Sequence, residues 1–600
     1  MGHDSEILAF LNIHKDQLVA SNIPQHFWNT LYKKLIHKSF NAGNTFQLLK
    51  LDYDQERQHH EPIWALQALS KIDRLDPKHI YLIDHAWTYR VEKAKQTLML
   101  HDSLRERLCK MFDLNDSDKM QKEDLVDAIF NCMWKFNNMY TIGSATTIED
   151  KLPVWYIMDE IGTSVLHNDN PNCRIVPFYY SDEQITYSLL FPIEDIDEAD
   201  LIFRDFAEGI TDPEKRSAFL LPWVPKSFRH YSIYPPMPGE DYFLSGHVKE
   251  SLPVLSNFTN KESKETRCVL KVFTQYSLVK EFLTDNKFKI VENEDEADIL
   301  WLTEHFKDFE TLSKSPEKFV SQFPFEYVLT VKDLLCITCR RKNSVKWLPV
   351  TYNLLTEITN FVSYFQQRHD EGPDNYWIVK PCNLARSLDI HITDNLDYIM
   401  KLATTGPKIV QKYITNPVLF YRPERNGFVK FDIRYVILLK CVKPLEVFVY
   451  KEFFLRFANV PFELNEFDNY EKHFTVMNYT ENTQLKHMKC EEFKEHWERQ
   501  YCNYPWATVE KSIVKMLREI LECGALEPPP LGIAENPQSR ALYAADLMLE
   551  WTENAAMQPK ILEVNFTPDC KRACDYYPDF YNDVFNLFFM NKSLEKFIPL

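Results

Sequence analysis

The spacing of apolar positions changes along the chain, and each change predicts a different kind of element. Within residues 1–60, Trp28, Leu31 and Leu35 share one helical face, Pro24 takes a first-turn position after Ser21 and Asn22, and Gly43 suits the far end. Proline is tolerated there because a first-turn N–H has no intrahelical acceptor, so this stretch predicts short helices. From about 70 to 225 the pattern becomes short apolar runs (HIYLIDHAW, PVWYIMDEIG, RIVPFYY, TYSLLFPI) set apart by Asp, Asn and Pro, which predicts strands. One helix, at about 117–138, interrupts them: Leu125, Ala128, Ile129, Cys132, Met133 and Phe136 recur at helical spacing behind Asp116 or Ser117 as cap. Residues 226–265 are rich in Pro, Ser and charge without a period and read as a linker. A second α/β block follows, and no internal repeat is visible. The predicted architecture is α+β and multidomain: a helical segment 1–65, a strand-rich domain 66–225, the linker 226–265 and an α/β domain 266–600.

Composition narrows the chemistry. The 600 residues carry 69 Lys+Arg against 87 Asp+Glu, so 69 − 87 leaves −18, which argues against a general nucleic-acid binder. Only 12 glycines are present, the closest pair being Gly239 and Gly246. A Rossmann G-x-G-x-x-G and a Walker A loop both need closer glycines, because backbone must approach phosphate without an intervening Cβ. A nucleotide would have to be held by side chains or by another loop. Apolar runs such as YVILL at 435–439 are far too short to span a membrane, and the start MGHDSEILAFLNIHKD does not resemble a signal peptide. Thirteen irregularly spaced cysteines fit a reduced compartment, so the cytoplasm is expected.

Two metal-like spacings have simpler readings. Cys336 and Cys339 form a C-x-x-C with no second pair, which suits a buried helix face. Asp113, Asn115 and Ser117 imitate half of an EF-hand loop, but Asp118 stands where glycine is needed and Asp124 where the bidentate glutamate is needed.

The α/β block places ionisable residues inside strand-like apolar segments: Lys380 in YWIVKP, Lys412 in KIVQKYI, Arg434 in FDIRYVILL, Arg456 in FFLRF and Glu563 in ILEVNF. Buried charges are costly unless paired or facing a polar cleft. Alternation along KFDIRY sets Lys430, Asp432 and Arg434 on one face and Phe431, Ile433 and Tyr435 on the other. Asp546, Glu563 and Asn565 add two carboxylates and an amide, a donor set suited to Mg²⁺. Together they describe an ATP–Mg cleft without a P-loop, able to activate a carboxylate for attack by an amine. Salt-bridged core strands are the alternative.

WIVKP, VQKYI, KFDIRYVIL, LRF, HFT and ILEVN occur in the order and approximate spacing of the tubulin-tyrosine ligase family, which has an ATP-grasp fold, and the resemblance covers about 270–590. It implies tubulin or microtubules as partner and ATP and Mg as cofactors. By motif, Lys380 and Lys412 contact nucleotide phosphates, Arg434 and Arg456 face phosphate or the acyl intermediate as catalytic residues, and Asp546, Glu563 and Asn565 hold magnesium. Active relatives show K-P-x-x-x-x-x-G-x-G-I, whereas this chain reads KPCNLARSLDI, with Ser387 and Asp389 replacing the glycines. At roughly 6 Å and an effective dielectric of 20, a carboxylate beside a phosphate costs on the order of 3 kcal/mol per unit charge. Arg386 could pair with Asp389 and close the site, and Val476 stands where the family has an amide.

In the strand-rich region, DEIGTSVLHNDNPNCRIVPFYY and ADLIFRDF resemble the SET-domain motifs N-H-S-C-x-P-N and G-E-E-L-T-x-x-Y. His167, Pro171 and Asn172 match; Leu166, Asn168, Asp169 and Ala199 do not, and Phe206 replaces the catalytic tyrosine. Phenylalanine has no oxygen to orient a lysine amine, so a SET-like scaffold for packing or tail binding is expected rather than a methyltransferase. An unrelated β-rich domain is the other reading. The combined expectation is a regulator of tubulin or histone tail modification with an impaired ligase-like domain, acting in the cytoplasm, at microtubules or centrosomes, or in the nucleus. An active ligase adding tyrosine or glutamate is the alternative, and a SET-type methyltransferase a more distant one. The RRK run at 340–342 is a candidate basic patch for acidic tails.

Overall fold

The structure, a computed structural model, describes the chain except for residues 1, 52–63, 115–118, 143–146, 259–268, 343–344, 383–387, 476–487 and 593–594. The cap candidates Asp116 and Ser117, the EF-hand-like Asn115 and Asp118, and Arg386, Ser387 and Val476 therefore lie outside the described residues. The described residues form two compact units. One comprises Met1–Ile233, Ile358–Gly372 and Thr393–Gly406; the other comprises Tyr234–Glu357, Pro373–Ile392 and Pro407–Leu600. Two helices from the second half of the sequence, Ile358–Glu371 and Leu396–Leu402, thus belong to the first unit. Specific contacts hold them: Arg229 Nε donates to Asp370 Oδ2 at 2.6 Å, and Trp134 stacks on Tyr398 with ring centroids 3.6 Å apart.

In the first unit the helices Gly2–Ala20 and Trp28–Ile36 cover a three-stranded antiparallel sheet of Tyr81–Ile83, Ile185–Pro192 and Cys173–Tyr180. Strand alternation sends Leu189 and Phe191 into a cluster with Phe10, Leu18 and Leu31, while Leu190 enters a second cluster with Phe46, Leu66 and Tyr156. Burial on both faces explains why this strand reads as a continuous apolar run. The stretch expected to hold one helix also includes Ala94–Leu100 and Asp102–Met111, whose buried residues Leu98, Leu108 and Met111 are spaced among charges. The helix expected at 117–138 is Lys122–Cys132, because the chain then tightens through a 3₁₀ turn at Met133–Lys135 and enters the strand Asn137–Tyr140. A strand, Phe46–Lys50, also lies in the stretch read as helical; it pairs with Trp64–Ala68.

In the second unit a mixed-length antiparallel sheet runs in the order Met557–Phe566, Ala541–Trp551, Phe431–Cys441, Glu446–Tyr450, Phe597–Pro599, with Phe454–Phe457 also paired to Phe431–Cys441. The helix Trp506–Leu526 buries Val509, Ile513, Met516 and Ile520 against one face of this sheet. Part of the opposite face, Val436, Leu438 and Leu542, lies under the helix Phe580–Phe589. A second sheet orders Thr351–Asn353, Lys408–Lys412, Trp377–Pro381 and His391–Thr393. A third is parallel, with Leu270–Thr274 between Phe288–Ile290 and Ile299–Trp301. The aperiodic stretch after residue 225 is tied down at Phe228 and Phe243, both fully buried. Cys336 and Cys339 lie buried on the helix Lys332–Arg340, the Cys339 thiol against that of Cys523. Among the described residues, no group of three or more His, Cys, Asp or Glu is arranged to hold a metal, and no helix is long and apolar enough to cross a membrane.

Candidate functional site

Strand alternation separates apolar from charged positions on Phe431–Cys441. Phe431, Ile433 and Tyr435 enter the core beneath Trp506–Leu526, and Asp432 and Arg434 take the other face. Antiparallel register then sets Asp432 opposite Arg456, Arg434 opposite Asp546, and Asp546 opposite Glu563. Arg434 donates Nε and Nη2 to the two oxygens of Asp546 at 2.7 and 2.8 Å. Arg456 donates Nε to both oxygens of Asp432 at 2.8 and 3.0 Å and Nη2 to Asp546 Oδ2 at 2.8 Å. The Thr475 hydroxyl donates to Asp432. Asn565 Nδ2 bridges Asp546 Oδ2 at 3.2 Å and Glu563 Oε1 at 3.3 Å, and Lys332 lies 3.5 Å from Glu563 Oε2.

Five of the seven residues assigned by motif are therefore one network, in which Arg434, Arg456 and Lys332 balance Asp432, Asp546 and Glu563. Burial pushes the Asp546 carboxyl up, but Arg456 and Arg434 outweigh it and hold it well below its ordinary value. Burial raises Asp432, with Arg456 opposing and the charge of Asp546 adding. Cross-strand carboxylates with an adjacent amide are the right donor type for Mg²⁺, although Asn565 here turns its amide nitrogen toward both of them. Since the cations present already neutralise the carboxylates, a divalent ion would be favoured only together with an anion such as a polyphosphate.

The two lysines part company. Trp377 pairs with Lys412 and Lys380 with Ile409, so Lys380 and Lys412, expected together on the phosphates, project from opposite faces of their sheet. Lys380 donates to Gln411 Oε1 at 2.8 Å; burial lowers its ammonium to about 8, with the Glu563 charge opposing and that of Lys332 adding. Lys412 donates to Asp374 Oδ1 at 2.5 Å and to the Tyr376 carbonyl at 3.3 Å. Lys430 joins the Lys380 side: it donates to the Tyr413 hydroxyl at 2.7 Å, and burial, helped by Lys380, lowers it to about 7.

Asp389 corrects the expected electrostatics. It has φ +54°, the left-handed conformation that glycine occupies most readily, and it is buried. Its carboxylate accepts from His391 Nε2 at 2.8 Å and from Lys408 Nζ. Burial raises the Asp389 carboxyl, but His391 and Lys408 outweigh it, so the charge is compensated within the fold instead of standing bare beside a phosphate. The residues missed by sequence reasoning are Gln411, Lys408 and Lys332. Gln411 and Lys408 lie in the same strand-like KIVQKYI and carried the signal used for Lys412; Lys332, at a helix start, carried none.

In the first unit the two SET-like stretches meet as a short parallel pair, Leu166 with Phe203 and His167 with Arg204. Asn172 fastens them, donating to the Leu201 carbonyl and accepting from the Phe203 N–H, each at 2.8 Å. Arg216 clamps both, reaching Asp169 at 2.6 Å and Asp205 at 2.8 Å. The Phe206 ring lies 5.3 Å from the His167 ring and 4.4 Å from Trp223, in the place the motif gives to tyrosine.

Comparison with known proteins agrees with both regions. The pattern of the tubulin-tyrosine ligase family matches residues 310–596, and that of the tubulin tyrosine ligase SET-like domain matches residues 65–227. The chain is 42% identical to human tubulin–tyrosine ligase-like protein 12, covering 98% of this chain and 94% of the relative. It is 33% identical to the Caenorhabditis elegans protein of the same name, covering 97% of each. Human tubulin polyglutamylase TTLL5 is 26% identical over 51% of this chain and 24% of its own length. The fold is accordingly mixed α/β, with a SET-like N-terminal domain and an ATP-grasp-type ligase domain. On this identity and coverage, and on the charged network assembled at its motif positions, the chain belongs to the tubulin-tyrosine ligase family.

Proposed function

We propose that this protein regulates the post-translational modification of tubulin tails, with histone tails as a second class of target, through a ligase-like domain whose own catalysis is impaired. The observation that carries this reading is Asp389. Where active members of the family place a glycine, a buried carboxylate is bound to Lys408 and His391, anchoring the end of the loop by an ion pair. A glycine would leave that backbone free to close its N–H groups over phosphate. The rest of the face is retained. Lys380 and Arg434 would meet phosphate oxygens by exchanging or adding to their present bonds to Gln411 and Asp546, and Asp546, Glu563 and Asn565 would hold magnesium once the Asn565 amide turns its oxygen toward the ion; bound Mg-ATP would supply the activated acyl group.

Calorimetric titration with Mg-ATP, using Glu563→Gln as control, followed by incorporation of tyrosine or glutamate into tubulin, tests the proposal. Expected results are weak or absent ATP heat, no incorporation by this chain alone, and altered incorporation when it is mixed with an active family member. Incorporation by the chain alone that Lys380→Ala abolishes would overturn the impairment and establish the competing reading, an active ligase. That reading is supported by the five motif residues gathered in register on one sheet.

A further inference from the structure

We propose that the first unit carries a second site, an anion-binding recess in which Arg204 and Lys401 receive a carboxylate or phosphate group. Each cation sits on one ring of an aromatic pair, and Lys401 feels the charge of Arg204. Arg204 Cζ lies 4.8 Å from the Phe206 ring centroid, Lys401 Nζ lies 4.3 Å from that of Trp223, and the two rings are 4.4 Å apart. Their remaining contacts are neutral: Lys401 Nζ donates to the Asn137 carbonyl at 3.0 Å, and Arg204 Nη2 donates to Asn138 Oδ1 at 3.3 Å. The buried Nε of Arg204 has no hydrogen-bond partner.

Carboxylates nearby are committed elsewhere. Asp205 and Asp169 are held by Arg216 and flank His167. Asp397, one helical turn before Lys401, favours the ammonium charge only through space. Two like charges crowded by aromatic rings, with no carboxylate among the described residues in hydrogen-bond contact with either, are an expensive arrangement, and a bound oxyanion would relieve it. Both residues are half-buried, and the Arg204 Nε is fully buried. Burial lowers Lys401 to about 7, with Arg204 adding, and lowers Arg204 to about 10. Anion binding above neutral pH should therefore draw a proton onto Lys401.

Arg204 comes from the SET-like region and Lys401 from the region matching the ligase family, so the recess exists only where one chain contains both. It is independent of the charged network of the second unit.

The test uses the full chain with two probes at constant ionic strength, inorganic phosphate and N-acetyl-Glu-Glu-amide, followed by thermal unfolding and titration calorimetry. At ten times Kd the wild-type Tm should rise by about 2–4 °C. Calorimetry at pH 8 in buffers of different ionisation enthalpy should show proton uptake. Lys401→Met and Arg204→Gln should each abolish the shift, whereas Lys380→Met in the other unit should retain it. Lys401→Met removes an unpaired cation and is expected to fold with an unliganded Tm at or above that of wild type. A response to phosphate alone would assign a phosphorylated ligand, and a response to the peptide alone an acidic side chain; either supports the recess. An equal shift in wild type, Lys401→Met and Arg204→Gln, or no shift with either probe at millimolar excess, would overturn it.

Discussion

Arg434 lies directly opposite Asp546 on an antiparallel strand pair and engages both of its carboxylate oxygens, at 2.7 and 2.8 Å. Asp546 is 1% exposed and also receives Arg456 from beyond the same strand. Asp546→Ala would strand the Arg434 guanidinium in a low-dielectric setting and take one of the two carboxylates of Arg456, which keeps Asp432, with an expected loss of about 3–5 kcal/mol. Urea unfolding measures this directly. Asp546→Asn should lose less, because its amide oxygen still accepts one donor.

Lys380 gives the domain a specific alkaline signature. Burial lowers its ammonium from 10.5 to about 8 in the folded chain. Between these values the unfolded chain holds a proton that the folded chain has shed, so this group makes stability rise with pH; below about 8 both states are protonated and the slope vanishes. Lys380→Met should remove up to about 1.4 kcal/mol per pH unit of that slope. Unfolding curves of the two proteins between neutral and alkaline pH should therefore diverge in slope; parallel curves would contradict the lowered value.

Two substitutions at Asp389 separate charge from backbone. Both Asp389→Asn and Asp389→Ala leave Lys408, 2% exposed, without its carboxylate. Asparagine tolerates the left-handed conformation at φ +54°, whereas alanine pays roughly 1 kcal/mol more there. Denaturant midpoints should fall in the order wild type, Asn, Ala.

Glycine is scarce in this chain, and Gly524 shows one use of it. It lies within the helix Trp506–Leu526, where a Cβ would meet Leu329 Cδ1 at 2.7 Å and Cγ at 2.9 Å. Alanine favours a helix by about 1 kcal/mol, but overpacking typically costs 1–3 kcal/mol. Gly524→Ala should be net destabilising, and a rise in Tm would show that Leu329 can move aside.

Much of the ligase-like site is legible in the residues themselves. Alternation in KFDIRY separates Asp432 and Arg434 from Phe431, Ile433 and Tyr435 because side chains of a strand alternate by covalent geometry alone. The same logic marks Lys380, Arg456 and Glu563 as costly charges in apolar segments. It is weaker where elements are short: the helices Ala94–Leu100 and Asp102–Met111 present too few apolar turns to stand out from the strands around them.

What the chain determines by itself is therefore local: which segments are amphipathic, which charges need partners, and, from glycine scarcity, that no P-loop exists. Tertiary structure alone decides which partner each charge finds. Register turns Lys412 away from Lys380 and toward Asp374, and strand pairing satisfies Asp546 with two arginines. Packing places the helix carrying Lys401 in the first unit, beside the strand carrying Arg204. The physical reason is that local patterns follow from backbone geometry over a few residues. Long-range juxtaposition depends instead on which apolar faces bury one another and in what register, a property of the whole fold.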